Sequence, residues 1–161
     1  MNRQTVLVTG GQGFVGRYVC KLLVAQGYNV RIPTRRPTQI QHRAYECVET
    51  GDLSVFTQWN QLVRGVDYVV HLVARTHMTD EFGAAAMQSY RATNVDITRR
   101  LVQAAANNGV QRVVYLSSIK AVANSSNEPL TEQSPCEPSD SYGITKLEAE
   151  HTIQSLSLIH I

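Results

Sequence analysis

Cysteine is scarce in this sequence: three residues in 161, Cys20, Cys47 and Cys136, an odd number with no close pair. That spacing excludes a disulfide framework and a Cys-x-x-Cys metal or redox motif, and it favours a reducing cytoplasm. Long apolar runs are missing as well. The longest, Tyr68-Val69-Val70-His71-Leu72-Val73-Ala74, falls far short of the ~20 residues needed to cross a bilayer. The apolar stretch near Met1 is too short for a secretory leader, so neither a membrane span nor export is expected. The five histidines, His42, His71, His77, His151 and His160, form no His-x-x-x-His pattern or Cys/His cluster, so no metal site is expected. An excess of one charge is also lacking. The net charge of +2 argues against a nucleic-acid footprint. With 43% hydrophobic and 17% charged residues, the chain has the balance of a folded globular protein. The charge that is present is uneven: residues 1–50 hold seven Arg/Lys against two Glu, and residues 101–161 hold three against six acids. A basic first third suits a localised anionic ligand, or is a solvated face.

The order of patterns is more informative. Thr5-Val6-Leu7-Val8-Thr9 is a β-branched run ending at a glycine cluster, and Val15, Val19, Leu22 and Leu23 then recur at helical spacing up to Gly27. Val30-Arg31-Ile32 predicts a second strand broken by Pro33, and Ala44 to Val48 a weaker third. A helix over 55–64 precedes Val66 to Val73, a near-continuous apolar strand of the kind buried on both faces of a parallel sheet. A long helix over 84–107 stops at Asn107-Asn108-Gly109, and Val110 to Leu116 forms another strand. A Ser/Asn/Pro-rich loop then leads to a final helix from about Ser141. The order β-α-β-β-α-β-α-β-loop-α predicts an α/β fold with a doubly wound parallel sheet of the Rossmann type.

Between the first strand and helix lies Thr9-Gly10-Gly11-Gln12-Gly13-Phe14-Val15-Gly16, which reads as Gly-x-Gly-x-x-Gly from Gly11 and as Gly-x-x-Gly-x-x-Gly from Gly10. Strand, glycine turn and helix start are the context that a dinucleotide pyrophosphate requires. The glycines let the backbone approach, and the free N–H groups opening the helix at Gly13, Phe14, Val15 and Gly16 face the phosphates. The end of the second strand reads Thr34-Arg35-Arg36-Pro37 with no carboxylate. Arg35 and Arg36 therefore favour NADP, whose 2′-phosphate they would clamp, with NAD possible if both arginines simply face solvent. Tyr142 and Lys146 are four residues apart and share one face of the last helix. There an ammonium stabilises a phenolate and makes tyrosine a competent acid/base; an exposed helix pair is the alternative reading. Ser118, directly after the strand over 110–116, sits at the carboxyl edge of the sheet, where its hydroxyl can bond a substrate oxygen; Ser117 is the second candidate. Glu148 and Glu150 read as solvated helix positions.

Taken together, the segments TGGQGFVG at 9–16, Gly51-Asp52-Leu53, His71-Leu72-Val73-Ala74, Asn94, Tyr115-Leu116-Ser117-Ser118 and Tyr142-Gly143-Ile144-Thr145-Lys146 resemble the extended short-chain dehydrogenase/reductase superfamily. The resemblance is to its NAD(P)-dependent epimerase/dehydratase family, in order and over essentially the whole chain. It implies that Asp52 binds the adenine amino group with the Leu53 backbone beside it, and that Leu72, Val73 and Ala74 line the nicotinamide-ribose side. It further implies that Lys146 reaches the ribose hydroxyls, that Asn94 supports that site through water, and that Thr131 to Pro135 border the substrate. The family's usual Tyr-Gly after the serine motif is replaced here by Val122-Ala123.

The implied activity is that of a nucleotide-sugar epimerase, dehydratase or 4-ketoreductase acting on a nucleotide-diphosphate sugar, homodimeric at full length. An NADP-dependent ketone or aldehyde reductase resembling the dihydroflavonol reductases, or a non-catalytic NADP-sensing module, are the competing readings. The resemblance also bears on length. It predicts a cofactor-binding domain over 1–154, lacking the family's last strand or strands and substrate lobe; the apolar tail over 155–161, without a turn or cap signal, reads as a truncated or a foreign end. Such a piece would expose a sheet edge and turn over little by itself.

Overall fold

The computed structural model describes residues 3–36, 42–76 and 83–156; Pro37, His77 and the end of the tail, 157–161 with His160, lie outside them. Five strands, β1 (Thr5–Thr9), β2 (Asn29–Thr34), β3 (Tyr45–Glu49), β4 (Tyr68–His71) and β5 (Arg112–Tyr115), form one sheet in the order β3-β2-β1-β4-β5. All four pairings are parallel. The helices between them are α1 (Phe14–Ala25), α2 (Trp59–Val63), α3 (Ala84–Arg91) and α4 (Ile97–Asn107), and α5 (Ser141–Ser155) closes the described chain.

Strand alternation divides the core. Leu7, Val69 and Val113 point to the face covered by Leu62 and Val63 of α2 and Ile97, Leu101 and Ala105 of α4. Val6, Val8, Val30 and Ile32 point to the other face, against Cys20, Val19 and Leu23 of α1. Both faces of the central strands are thus buried, which is why they read as unbroken apolar runs.

Three boundaries differ from expectation. Pro33 does not break β2. Val30 N–H bonds to Ala44 O and Thr50 N–H to Thr34 O, so alternate residues of β2 serve β3. Pro33 therefore turns its nitrogen toward β1, beyond the last β1–β2 pair, Leu7 and Arg31, where no ladder bond is lost. The helix over 55–64 shrinks to Trp59–Val63; the preceding turn is held instead by Ser54 N–H on Asp52 and by the Trp59 indole N–H on Phe56 O. The helix over 84–107 is interrupted by a π-helical segment, Ala92–Asp96, of the kind that commonly marks functional sites. After β5 the chain makes a short 3-10 turn, Ile119–Ala121, before the long loop to α5.

Candidate active site

The carboxyl ends of β1 and β4 meet where the strand order reverses, the place at which open α/β sheets bind ligands. A cleft of about 670 Å³ opens there. Gly10 and Gly13, Arg35, Asp52 and Leu53, and Leu72, Val73 and Ala74 all line it, together with Arg75 and Thr93. All but Arg75 and Thr93 were expected from sequence, and they come from four separate segments; Phe14, Val15, Gly16, Tyr142 and Lys146, expected with them, are not among the residues lining this cleft. Arg36 is exposed and does not line the cleft. Phe14 and Val15 are exposed at the start of α1, with relative accessibilities of 75% and 44%.

The glycine turn has a steric logic. Gly10 has φ 72°, and a Cβ on it would lie 3.2 Å from the backbone of Leu72 and Val73. A Cβ on Gly16 would stand 2.1 Å from Gly10 O, so α1 packs on the turn only with glycine there. Gly11, the alternative start of the motif, serves packing: its Cβ would meet Ile32 at 2.9 Å and Cys20 at 3.0 Å. Gly13 caps α1 without a side-chain hydrogen bond, but its own N–H, expected to be free, is committed to Gly10 O at 2.9 Å, so the N–H groups left for an anion are those of Phe14, Val15 and Gly16. The turn and cleft therefore fit a dinucleotide. At the far end, the Ser54 N–H, 2.8 Å from Asp52 Oδ1, holds the Asp52 carboxyl below its usual range, and the Arg35 guanidinium adds to this.

Behind the cleft runs a buried polar chain. His71 Nδ1 is 2.6 Å from Thr9 Oγ, and its Nε2 is 2.9 Å from Thr98 Oγ. Thr98 spends its proton on Asn94 O at 2.6 Å, so Nε2 carries the hydrogen and donates it to Thr98. Burial, helped by the Lys146 charge, pushes the His71 pKa down to about 3, and the ring stays neutral. Asn94, in the π-helical segment, uses its side chain as a clamp. Its Oδ1 accepts from Arg75 N–H at 2.7 Å, and its Nδ2 donates to Arg75 O at 3.2 Å and to Thr145 Oγ at 3.0 Å. The amide thus ties the cleft to α5; its protein bonds run to Arg75 and Thr145 rather than to Lys146.

Asp140 caps α5, accepting from Gly143 N–H at 2.7 Å, from Lys120 Nζ at 2.8 Å and from Asn124 Nδ2 at 2.6 Å. Burial opposes ionisation of this carboxyl, but those donors outweigh it and keep its pKa low. Gly143 lets the 3-10 turn approach, since a Cβ there would lie 2.2 Å from Lys120 O. One turn on, Lys146 is 1% exposed. Its Nζ donates to Leu116 O at 2.6 Å and sits 4.0 Å from the centre of the Tyr115 ring. Burial lowers its pKa to about 8, and Glu150 works in the opposite sense.

Ser117 donates its hydroxyl to Glu150 Oε1, whereas among the described residues Ser118 only accepts, from Lys120 N–H at 3.2 Å. Glu148 is ion-paired with Arg91, 2.7 Å from Nη2. Neither glutamate is the simply solvated position expected from sequence. Asp140, Thr98, Thr145, Tyr115 and Glu150 were not singled out as site residues. The signal for Asp140 was its position just before a helix, and for Glu150 its spacing of four and eight from Lys146 and Tyr142. Tyr115 carries a buried hydroxyl without a hydrogen-bond partner among the described residues, and burial raises its pKa. Among those residues no group of three or more His, Cys, Asp or Glu is placed to hold a metal ion, and no helix is long and apolar enough to cross a membrane.

A 3-2-1-4-5 parallel sheet with a glycine turn at its switch point and a Tyr-x-x-x-Lys helix at its carboxyl edge defines a Rossmann-type nucleotide-binding protein. Residues 6–158 match the NAD dependent epimerase/dehydratase family, and the chain belongs to it. A UDP-glucose 4-epimerase of Vibrio cholerae is 30% identical over 157 residues, 96% of this chain and 47% of that protein. Sterol demethylase protein B of Methylococcus capsulatus is 35% identical over 155 residues, 92% of this chain and 46% of that protein. The solved structure of MoeE5 in complex with UDP-glucose and NAD is 30% identical with a TM-score of 0.83, covering 95% of this chain and 49% of that one. The chain thus spans about half the length of these relatives.

Proposed function

We propose that this chain carries the cofactor cleft and acid/base helix of an NAD(P)-dependent cytoplasmic enzyme that epimerises, dehydrates or 4-keto-reduces a nucleotide-diphosphate sugar. The observation that carries this reading is Lys146. A lysine 1% exposed, with a pKa near 8, lies one helical turn from Tyr142 and against the residues that lead into Ser118. Burying an ammonium is costly, and chemistry is the usual reason to retain it. Two relatives of this chain bear on the substrate: the Vibrio protein is named for UDP-glucose, and MoeE5 holds UDP-glucose and NAD.

The glycine turn and the open first turn of α1 hold the pyrophosphate, Asp52 and Leu53 the adenine, and Leu72 to Ala74 the nicotinamide ribose. When bound, the nicotinamide supplies the hydride acceptor and donor. Tyr142 moves the proton of the sugar hydroxyl, most simply at C4. Lys146, one turn along the same helix, supplies the positive charge of the centre, and the Ser118 hydroxyl, whose proton has no acceptor among the described residues, donates to the reacting oxygen. Arg35, lining the cleft at the end of β2, supports a preference for NADP.

Replacing Tyr142 with Phe should lower turnover of a UDP- or dTDP-sugar by about a hundredfold or more, with cofactor affinity preserved. Unchanged turnover would refute the acid/base role. The 35% identity to sterol demethylase protein B favours a second reading, oxidoreduction of a non-sugar alcohol or ketone by the same residues. A screen of sugar nucleotides against such alcohols separates the two.

A further inference from the structure

Three residues of α5 spaced four apart, Tyr142, Lys146 and Glu150, form one stripe, and the stripe meets the exit of β5 in register. Lys146 takes the carbonyl of Leu116, and Glu150 takes the hydroxyl of the next residue, Ser117. Ser118 follows directly and caps the 3-10 turn. We propose that Glu150 is a positioning residue of the Tyr142–Lys146–Ser118 centre, fastening the β5 exit to α5 through Ser117 and supplying the counter-charge to the buried Lys146 ammonium. The proposal rests on the acid/base reading above.

The surrounding charges point to Glu150 as that counter-charge. Lys146 is faced by His71 from β4 and by the Tyr115 ring from β5, with Tyr142 one turn back on its own helix. The other described carboxylates on α5, at its cap and on the elements packed against it are matched elsewhere: Glu148 with Arg91 of α3, Asp140 with Lys120 of the 3-10 turn, and Asp96 of the π-helical segment with Arg99 of α4. Arg100 of α4 bonds Ser54 O. Glu150 is bonded to a neutral hydroxyl, so its charge is left for the ammonium one turn away, and it opposes the effect of burial on Lys146. The tether commits the Ser117 proton to Glu150, whereas the Ser118 proton has no acceptor among the described residues.

The chain has only three lysines, Lys21, Lys120 and Lys146, so each side chain can be followed by NMR with carbon-labelled lysine. Lys146 should titrate near pH 8, and in Glu150→Gln its pKa should fall below that value. Glu148→Gln, two residues away and paired to Arg91, should leave it unchanged. In unaltered protein the Glu150 carboxyl carbon should show a step at the same pH as Lys146, a test that needs no variant and decides the matter if Glu150→Gln does not fold. Ser117→Ala should lower kcat about fivefold, the worth of one hydrogen bond, with KM for the sugar nucleotide kept.

A Lys146 pKa indifferent to Glu150→Gln, or a Glu150 carboxyl with no step near pH 8, would overturn the proposal. Because the lysine titration requires no turnover, its outcome is separate from that of Tyr142→Phe, which tests the acid/base reading alone.

Discussion

At the residue scale the buried Lys146 ammonium should govern the pH dependence of stability. Its folded pKa of about 8 lies below the ordinary 10.5. Between those values the unfolded chain holds a proton that the folded chain has released, so stability rises with pH across that window. The full cost of burying the charge is present below pH 8. Relative to Lys146→Met, the unaltered chain should gain roughly 3 kcal/mol between pH 7.5 and 10.5, measured by urea unfolding at each pH; a constant difference would show that the ammonium is not buried. Arg35 carries a second expectation. Arg35→Ala should weaken NADP binding about tenfold and leave NAD binding unchanged, as read by calorimetric titration. Loss of both affinities together would show that Arg35 shapes the cleft instead of reading a 2′-phosphate. The positions of these two residues are readable in the sequence, Arg35 at the end of β2 and Lys146 four residues after Tyr142. The His71 relay is not, since it joins Thr9 to Thr98 across 89 residues by two hydrogen bonds that no local pattern encodes.

At the scale of elements, the strand-turn-helix start was readable because β-branched periodicity, glycine clustering and helical spacing coincide there. Pro33 misled because a proline is destructive only where its missing N–H had a ladder partner, and partnership depends on which neighbour the strand faces. The π-helical segment was invisible for a similar reason. Its extra residue per turn is selected by where Asn94 must reach, Arg75 on one side and Thr145 on the other. Glycine positions test how tightly these elements meet. Gly16→Ala puts a Cβ 2.1 Å from Gly10 O, and Gly143→Ala puts one 2.2 Å from Lys120 O. Each should cost roughly 3 kcal/mol in denaturant unfolding. Gly13→Ala, whose Cβ would lie 3.2 Å from the same Gly10 O at an ordinary extended backbone, should cost well under half as much. Equal losses at Gly13 and Gly16 would mean that the turn is held by something other than this close approach.

For the whole molecule, sheet order and motif order agree. The glycine turn, the Asp52 loop and the β4 exit line one cleft, and α5 is joined to the β5 exit through Leu116 and Ser117. The α1 face of the sheet is less finished. Phe14, Tyr18 and Leu22 form an outer stripe with 75%, 65% and 62% of their surface exposed, and Val114 on the edge strand β5 is 52% exposed. A groove of about 480 Å³ lies on that face, lined by Val6, Leu23, Tyr28, Tyr68, Val70 and Val114 among others. It provides an internal control for the central claim, which is that a nicotinamide dinucleotide lies at the carboxyl edge beside Tyr142 and Lys146. The direct measurement is a titration of the chain with NADP, following backbone amide shifts by NMR. Shifts should saturate at one equivalent and cluster at Gly10 to Gly16, Asp52 to Ser54 and Leu72 to Arg75, with Lys146 responding. No saturable change, or changes clustered around Tyr28, Tyr68 and Val114, would contradict the account.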